Sequence, residues 1–154
     1  MTSPGYLSLY RTGQLAERIK ATWNTLAACE LCPHRCRVDR LREESSPGSA
    51  LSRGLCRMGA FPKVSSWNLH CWEEPPISGI RGSGTIFFSG CTGSCTFCQN
   101  YPISQYGYGD VVTIERLAEM MLELQHKGAH NINFVTPTHF VPQILAALPH
   151  AIQN

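Results

Sequence analysis

The stretch Thr85-Ile-Phe-Phe-Ser-Gly-Cys91-Thr-Gly-Ser-Cys95-Thr-Phe-Cys98 decides the fold, because an apolar run leads directly into three closely spaced cysteines. The run over 85–90 is short, mostly apolar and bounded by glycines, which is typical of a buried parallel strand. Three thiols that directly follow a strand can converge on one point above the sheet, and thiolates suit iron–sulfur clusters or zinc. The stretch therefore predicts a strand followed by a metal-binding loop.

The sequence after this loop alternates between helix and strand. Residues 114–127 place apolar side chains, among them two methionines, at helical spacing, with Thr113 as N-cap and Gly128 as C-terminal stop. Residues 131–136 predict a second strand, and residues from about 140 to 154 predict a further helix. The order strand, loop, helix, strand, helix gives two βα units of an α/β fold.

The length of this part limits what it can form. Residues 85–154 are too few for a closed eight-unit barrel, which takes about 250 residues. Two parallel strands cannot close a barrel, and they leave their edges unpaired. We therefore expect an incomplete (βα) barrel in a C-terminally truncated chain, with a small open α/β domain as the alternative.

A separate segment, residues 1–84, is expected to precede the start of the barrel at residues 85–154. Its first predicted element is an amphipathic helix over 12–27, because Leu15, Ile19, Trp23 and Leu26 follow one helical stripe. A polar loop is expected over 40–53. Residues 61–84, rich in Pro, Gly and Trp, are expected to be irregular or to form short extended structure.

Four more cysteines lie in this segment, which makes it the second candidate metal site. Cys29, Cys32, Cys36 and Cys56, here the N-terminal set, have the spacing C-x2-C-x3-C-x19-C. Four thiolates complete a tetrahedral zinc site or hold an additional iron–sulfur cluster, and the spacing does not decide between them. Reduced, unligated cysteines are the alternative. His34 is expected to be exposed rather than a ligand, and Cys71 to be a free buried thiol.

Composition excludes several classes of protein. With 43% hydrophobic residues the chain of 154 residues can bury a core, so wholesale disorder is excluded. The net charge of +2, with no run of Lys or Arg, argues against a nucleic-acid or membrane surface. No apolar stretch approaches the roughly 18–20 residues that span a bilayer, and the polar N-terminus is no signal peptide. We therefore expect a cytoplasmic protein, in which closely spaced cysteines are more often metal ligands than disulfides.

The motifs of the chain resemble those of a known superfamily. The spacing C-x3-C-x2-C after a strand, with Phe97 before the last cysteine, resembles the radical S-adenosylmethionine (SAM) superfamily. More narrowly, the chain from Cys29 to Val141 is similar to pyruvate formate-lyase-activating-enzyme-like proteins. The motifs that carry this likeness are Cys29-x2-Cys32-Pro-x2-Cys36, Gly54-x-Cys56, Glu73-Glu-Pro-Pro-Ile-Ser-Gly79 and Gly128-Ala-His-Asn-Ile-Asn-x-Val-Thr-Pro-Thr-His139.

The resemblance implies a set of cofactor contacts. Cys91, Cys95 and Cys98, here the loop set, would hold three irons of a [4Fe-4S] cluster, and the fourth iron would bind the amino and carboxylate groups of SAM. The backbone at Phe97 would lie near the adenine. The reduced cluster would pass one electron to the sulfonium, and the resulting 5′-deoxyadenosyl radical would abstract a hydrogen atom. A chance triplet or a structural zinc knuckle is the alternative.

One motif departs from the superfamily pattern. After the second strand the superfamily often has a Gly-Gly-Glu-Pro-like turn that helps to hold the methionine amino group, whereas this chain has Thr136-Pro-Thr-His-Phe140. Hydroxyls and an imidazole at the end of a strand are well placed for a ligand, so Thr136, Thr138 and His139 are candidate cofactor contacts. In the alternative interpretation, Pro137 shapes a turn and Thr138 caps the next helix.

The function implied is a radical SAM protein similar to glycyl-radical activating enzymes. No side chain is predicted to be catalytic, because the cofactors carry the chemistry. The implied partners are an external electron donor of the flavodoxin or ferredoxin type and a substrate that is a protein or a small molecule. Two alternatives are a catalytically inactive truncated fragment that binds iron–sulfur or zinc, and an interaction module stabilised by zinc.

Overall fold

The computed structural model describes residues 4–42, 54–72 and 74–154, which form a mixed α/β fold. Residues 43–53 of the predicted polar loop, and Glu73 of the quoted motif, lie outside the described residues. The helices are α1 (Gly5–Arg11), α2 (Gln14–Asn24), α3 (Pro75–Ser78), α4 (Tyr101–Ser104), α5 (Ile114–His126) and α6 (Val141–Gln153). The strands are β1 (Lys63–His70), β2 (Ser83–Phe88), β3 (Asp110–Val111) and β4 (Ile132–Val135), and 3₁₀ helices cover Thr25–Ala28 and Thr138–Phe140.

The four strands form one mixed sheet in the order β3-β1-β2-β4. Strand β1 runs antiparallel to both β2 and β3, whereas β2 and β4 are parallel. The predicted strands at 85–90 and 131–136 are therefore confirmed as parallel neighbours. Because the carboxyl ends of parallel strands meet at one edge of a sheet, the loops that follow Phe88 and Val135 lie side by side.

Residues 61–84, expected to be irregular or to form short extended structure, contain the extended strand β1. This strand covers eight residues and pairs with β2 along most of its length. Its extent was not predicted, because most of its residues are only half-buried and its apolar and polar side chains do not alternate. The position proposed as a segment boundary, between residues 84 and 85, falls inside β2.

The predicted helices are found with shifted ends. The stripe over 12–27 becomes α2 followed by the 3₁₀ helix, because Gly13 with φ of 78° separates α2 from α1. Thr113 caps α5 as predicted, since its hydroxyl accepts the N–H of Arg116 at 3.1 Å. Gly128, with φ of 89°, ends α5 in a Schellman motif.

The core lies between the sheet and helices α5 and α6. Phe88 at the end of β2 is 1% exposed and packs against the rings of Phe134 and Phe140, at centroid distances of 6.0 and 5.3 Å. Met120 and Met121 of α5 are buried in the same cluster, as expected. Truncation of such a buried phenylalanine costs roughly 3–5 kcal/mol. This packing fixes the ends of β2 and β4, and with them the loops that carry the candidate site.

Candidate functional site

The chain turns sharply between β2 and the loop set. The N–H of Ser89 donates to the carbonyl of Lys63 at 2.9 Å, and that of Gly90 donates to Ile103 at 3.1 Å. Gly90 has φ of 73°, and a Cβ there would lie 2.6 Å from Met58 Cε and 2.7 Å from the carbonyl oxygen of Cys56. A residue without a side chain is therefore required at position 90.

Polar contacts order the sulfurs of the loop set. Cys91 Sγ accepts the N–H of Gly93 at 3.3 Å, and Cys98 Sγ accepts the hydroxyl of Ser104 at 3.5 Å. A Cβ on Gly93 would lie 3.5 Å from Cys95 Sγ and 3.6 Å from Cys91 Sγ. The sulfurs of Cys91 and Cys95 therefore both lie close to Gly93, where the backbone carries no side chain.

This loop fits a bulky inorganic group at its sulfurs. The donors are soft thiols, and Gly93 leaves space beside two of them. Cys95 is exposed, Cys91 and Cys98 are half-buried, and the Phe97 ring is 89% exposed. In the described parts of the chain, no three Cys, His, Asp or Glu side chains converge closely enough to hold a single metal ion. The structure thus places the loop set at one strand end without drawing it onto one point.

The loop after β4 is fastened to the end of β2. Thr136 has φ of 55°, and its hydroxyl donates to the carbonyl of Phe88 at 3.2 Å. His139 is 2% exposed, and its Nε2 lies 2.8 Å from the carbonyl oxygen of Ser89. Because that oxygen can only accept, Nε2 carries the proton. Thr138 is exposed, and α6 begins after Phe140 without a side-chain cap, so Thr138 does not cap it.

The environment of His139 keeps its ring neutral. The pKa of His139 is lowered to about 4, mainly by burial and also by the nearby positive charge of Arg40, against the opposing effect of the hydrogen bond to Ser89. The neutral ring is therefore a fixed hydrogen-bond donor at ordinary pH.

The N-terminal set lies in two segments that the fold brings together. The N–H of Cys29 donates to Val38 at 3.0 Å, and the N–H of Arg37 donates back to Cys29 at 2.9 Å. Cys36 Sγ accepts the N–H of Leu55 at 3.5 Å, which joins the first segment to the one that carries Cys56. The third cysteine of the set, Cys36, therefore contacts the residue that directly precedes the fourth, Cys56.

The charges around Cys56 show which other thiols approach it. Burial raises the pKa of the Cys56 thiol, an N–H from Met58 and the charge of Arg40 lower it, and Cys29 and Cys32 raise it through their own charge. Cys29 and Cys32 thus lie within electrostatic range of Cys56, although among the described residues no three such side chains come together at one point. Cys71, by contrast, lies after β1 and is exposed, so the prediction that it is buried is wrong. The chain leaves the sheet at His70, which removes Cys71 from the core.

The two cysteine segments contact each other, which the sequence did not predict. The ring of His34, exposed as predicted, donates from Nε2 to the carbonyl of Thr92 at 2.8 Å. Arg57 donates to the backbone carbonyl of Gln105. The side-chain amide of Gln105 in turn donates to the backbone carbonyl of Cys95 at 2.9 Å. Nothing in the spacing of the cysteines marks Arg57 or Gln105, because their role depends on contacts between distant parts of the chain.

Comparison with known proteins shows a match to one family profile and a similarity to an uncharacterized protein. Residues 85–153 match the sequence profile of the Radical SAM superfamily. The chain is 32% identical over 145 residues to the uncharacterized protein MJ0674 of Methanocaldococcus jannaschii. The aligned part takes in 89% of this chain and 39% of that relative, so the chain spans well under half the length of the relative. No solved structure matches the chain significantly.

The helices were also compared with the length of a membrane span. Within residues 4–42, 54–72 and 74–154, no helix combines the length and the apolar character that crossing a bilayer requires.

Proposed function

We propose that residues 85–153, which match the Radical SAM superfamily, form a radical SAM domain, and that the chain is part of a SAM-dependent iron–sulfur radical enzyme. The observation that carries the proposal is the loop set at the carboxyl end of β2, inside the matched segment. When bound there, a [4Fe-4S] cluster supplies one electron to the sulfonium of SAM, whose cleavage gives a 5′-deoxyadenosyl radical.

The residues of the loop have separate tasks in this proposal. Cys91, Cys95 and Cys98 provide three thiolates, which leaves one iron open for SAM. The N–H of Gly93 and the hydroxyl of Ser104 donate to two of these sulfurs and stabilise their negative charge.

Phe97, Thr136, Thr138 and His139 are proposed to form the SAM site, two of them by direct contact and two by supporting the loop. Phe97 and Thr138 have exposed side chains, which suits direct contact. The side chains of Thr136 and His139 form hydrogen bonds to the backbone at the end of β2, so they contribute by holding the loop in place. The turn that replaces the usual Gly-Gly-Glu-Pro pattern thus keeps its shape through side chains.

We further propose that the enzyme is of the pyruvate formate-lyase-activating type. The support is the set of motifs between Cys29 and Val141 that resemble such proteins. An external flavodoxin or ferredoxin would supply the electron, a protein would be the substrate, and the cytoplasm would keep the thiols reduced. The superfamily match does not favour the alternative of an inactive fragment.

The N-terminal set is proposed to hold a second metal, either zinc or an iron–sulfur cluster. The support is the contact of Cys36 Sγ with the N–H of Leu55 and the proximity of Cys29 and Cys32 to Cys56. Four thiolates leave no open position, so this metal would be structural. Metal analysis of purified protein, with acid-labile sulfide, separates zinc from iron.

Low-temperature EPR tests the main proposal. The protein is reconstituted anaerobically with iron and sulfide, reduced with dithionite and measured with and without SAM. We expect a [4Fe-4S]⁺ signal that changes when SAM is added, and 5′-deoxyadenosine among the products. In Cys95→Ser the part of the signal that responds to SAM should be lost. In the matched control Cys71→Ser, which changes an exposed cysteine outside both sets, that response should be retained. The proposal is contradicted if SAM does not change the signal, or if the response to SAM survives in Cys95→Ser.

A further inference from the structure

Arg40 is a buried cation between the two cysteine segments. It is 4% exposed, and its guanidinium donates to the carbonyl of Gly59 from Nε at 3.1 Å and from Nη2 at 2.8 Å. Its Nη1 donates to the carbonyl of His139 at 2.6 Å and points to Cys29 Sγ at 3.8 Å. The guanidinium carbon also lies 5.4 Å from the centre of the Phe140 ring.

The charge of Arg40 needs compensation. Its hydrogen-bond and ring partners among the described residues are carbonyls, a sulfur and an aromatic ring, and none is a carboxylate. A buried charge is costly unless it is paired. A metal-bound set of four thiolates carries negative charge, and Cys29 Sγ is where Arg40 meets that set.

A continuous chain of contacts leads from Arg40 to the loop set. Arg40 holds the backbone carbonyl of His139, and the ring of His139 holds the carbonyl of Ser89. Ser89 is fully buried and stands two residues before Cys91. The path therefore runs from a sulfur of the N-terminal set, through two buried side chains, to the backbone that presents the loop set.

We infer that Arg40 is a positioning residue that joins the N-terminal cysteine set to the loops after β2 and β4. This inference rests on the proposed metal sites for its consequence, whereas the contacts themselves are independent of them. Arg40 holds the loop that contains Thr138 and His139 against Cys29, and a metal held by the N-terminal set would add negative charge beside its guanidinium. The N-terminal set thereby supports the SAM site without contacting SAM.

Lysine is not expected to replace Arg40. The planar guanidinium reaches two carbonyls and a sulfur in different directions, whereas an ammonium on a flexible stem holds fewer of them in fixed geometry. Arg40→Gln removes both the positive charge and the planar guanidinium with its several donors. Arg40→Lys keeps the charge and removes only the guanidinium. Arg42→Gln is the matched control, because Arg42 is exposed and lies in the same segment.

Amide hydrogen exchange on the metal-free protein tests the link first. In Arg40→Gln we expect faster exchange, on the order of tenfold, in both 89–91 and 138–141, with Arg40→Lys intermediate and Arg42→Gln unchanged. Faster exchange confined to the neighbourhood of Gly59, or equal in Arg42→Gln, overturns the inference. Circular dichroism checks that each variant is folded, and if Arg40→Gln is not, the same comparison is made with Arg40→Lys.

EPR of the reconstituted protein then tests the consequence. At equal iron content, the reduced cluster of Arg40→Gln should show a diminished spectral change on addition of SAM, while Arg42→Gln should match the wild type. An identical SAM response in Arg40→Gln overturns the coupling. If the wild type forms no cluster, the proposed function fails, and the exchange experiment still decides whether Arg40 joins the segments.

Discussion

The two cysteine sets differ in how the fold treats their sulfurs. The N-terminal set has a buried member, Cys29, and its sulfurs meet a buried arginine and backbone N–H groups. The loop set has no buried member, and each set has one exposed cysteine, Cys36 in the N-terminal set and Cys95 in the loop set. Four thiols in a supported environment are suited to a closed metal site, and three thiols in an accessible loop are suited to an open one.

This difference shows that cysteine spacing and cysteine environment carry separate information. Both sets begin with three closely spaced cysteines, so spacing alone predicts metal binding for each. The environment of each set depends on the fold. The loop set follows the end of β2 at Phe88, and the N-terminal set packs against the segment that carries Cys56. Four experiments test the comparison, beginning with the largest expected effect.

The loss of one loop-set thiol should separate the two sites most clearly. Cys95→Ala removes an exposed thiol of the loop set, so we expect loss of the [4Fe-4S]⁺ signal that responds to SAM and of about four irons per chain, while any metal bound by the N-terminal set is retained. Iron, zinc and acid-labile sulfide are measured together. Equal loss of metal from both sets would show that they are not separate sites, and Cys71→Ala provides the background.

The pH dependence of the stability of the metal-free protein tests whether His139 holds the loop after β4 in place. His139 has a pKa of about 4 when folded against 6.5 as the ordinary value, so between these pH values the unfolded chain binds a proton that the folded chain does not. The free energy of unfolding should therefore be highest above pH 6.5 and fall by about 3 kcal/mol as the pH decreases to 4.

Urea denaturation between pH 4 and pH 7 measures this effect. His139→Gln should flatten the pH dependence, whereas His126→Gln, which changes an exposed histidine of α5, should leave it unchanged. An unaltered profile in His139→Gln would show that the imidazole is not the group responsible.

Two glycines of the loop test the contact between the cysteine segments. Gly90→Ala places a Cβ against Met58 and the carbonyl of Cys56 at a positive φ, so we expect destabilisation by about 2 kcal/mol. Gly93→Ala meets two sulfurs at ordinary contact distance and should change stability by less than about 0.5 kcal/mol. Urea midpoints give both values, and equal effects would contradict the close approach of the segments at Gly90.

The last prediction concerns a helix cap outside both sets. Thr113→Ala removes the hydroxyl that caps α5 and should cost about 1 kcal/mol of stability without any change in metal content. Thr113→Ser retains the hydroxyl and serves as the control. A change of iron content in Thr113→Ala would mean that the metal sites respond to general stability rather than to their own contacts.

Sequence predicted the elements that have strong local signals. Helix α5 was predicted from its apolar spacing, Thr113 and Gly128, and each of these signals acts within a few residues. For strand β1 the sequence indicated only irregular or short extended structure, because its half-buried residues do not alternate and its pairing with β2 and β3 depends on distant residues. Residue Gly13 was not recognised as the break between α1 and α2.

In the candidate site, too, the sequence predicted only the residues that form contiguous motifs. The loop set, its strand and the turn at Thr136-Pro-Thr-His-Phe140 were found from the sequence because they are contiguous. Arg40 was not, since it stands in a polar stretch and acquires its role only by contacting Gly59 and His139. The burial that lowers the pKa of His139 is likewise a product of packing.

By itself the sequence determined the α/β class, the parallel pair β2 and β4, and the residues available as thiolate ligands. These depend on side-chain periodicity and on spacing within short stretches, which operate before distant segments meet. Only the tertiary structure decided that the two cysteine segments are neighbours, that β1 completes the sheet between β2 and β3, and that Arg40 is buried between the sites. Those features arise from hydrogen bonds and burial between residues far apart in the chain, for which a single sequence has no local pattern.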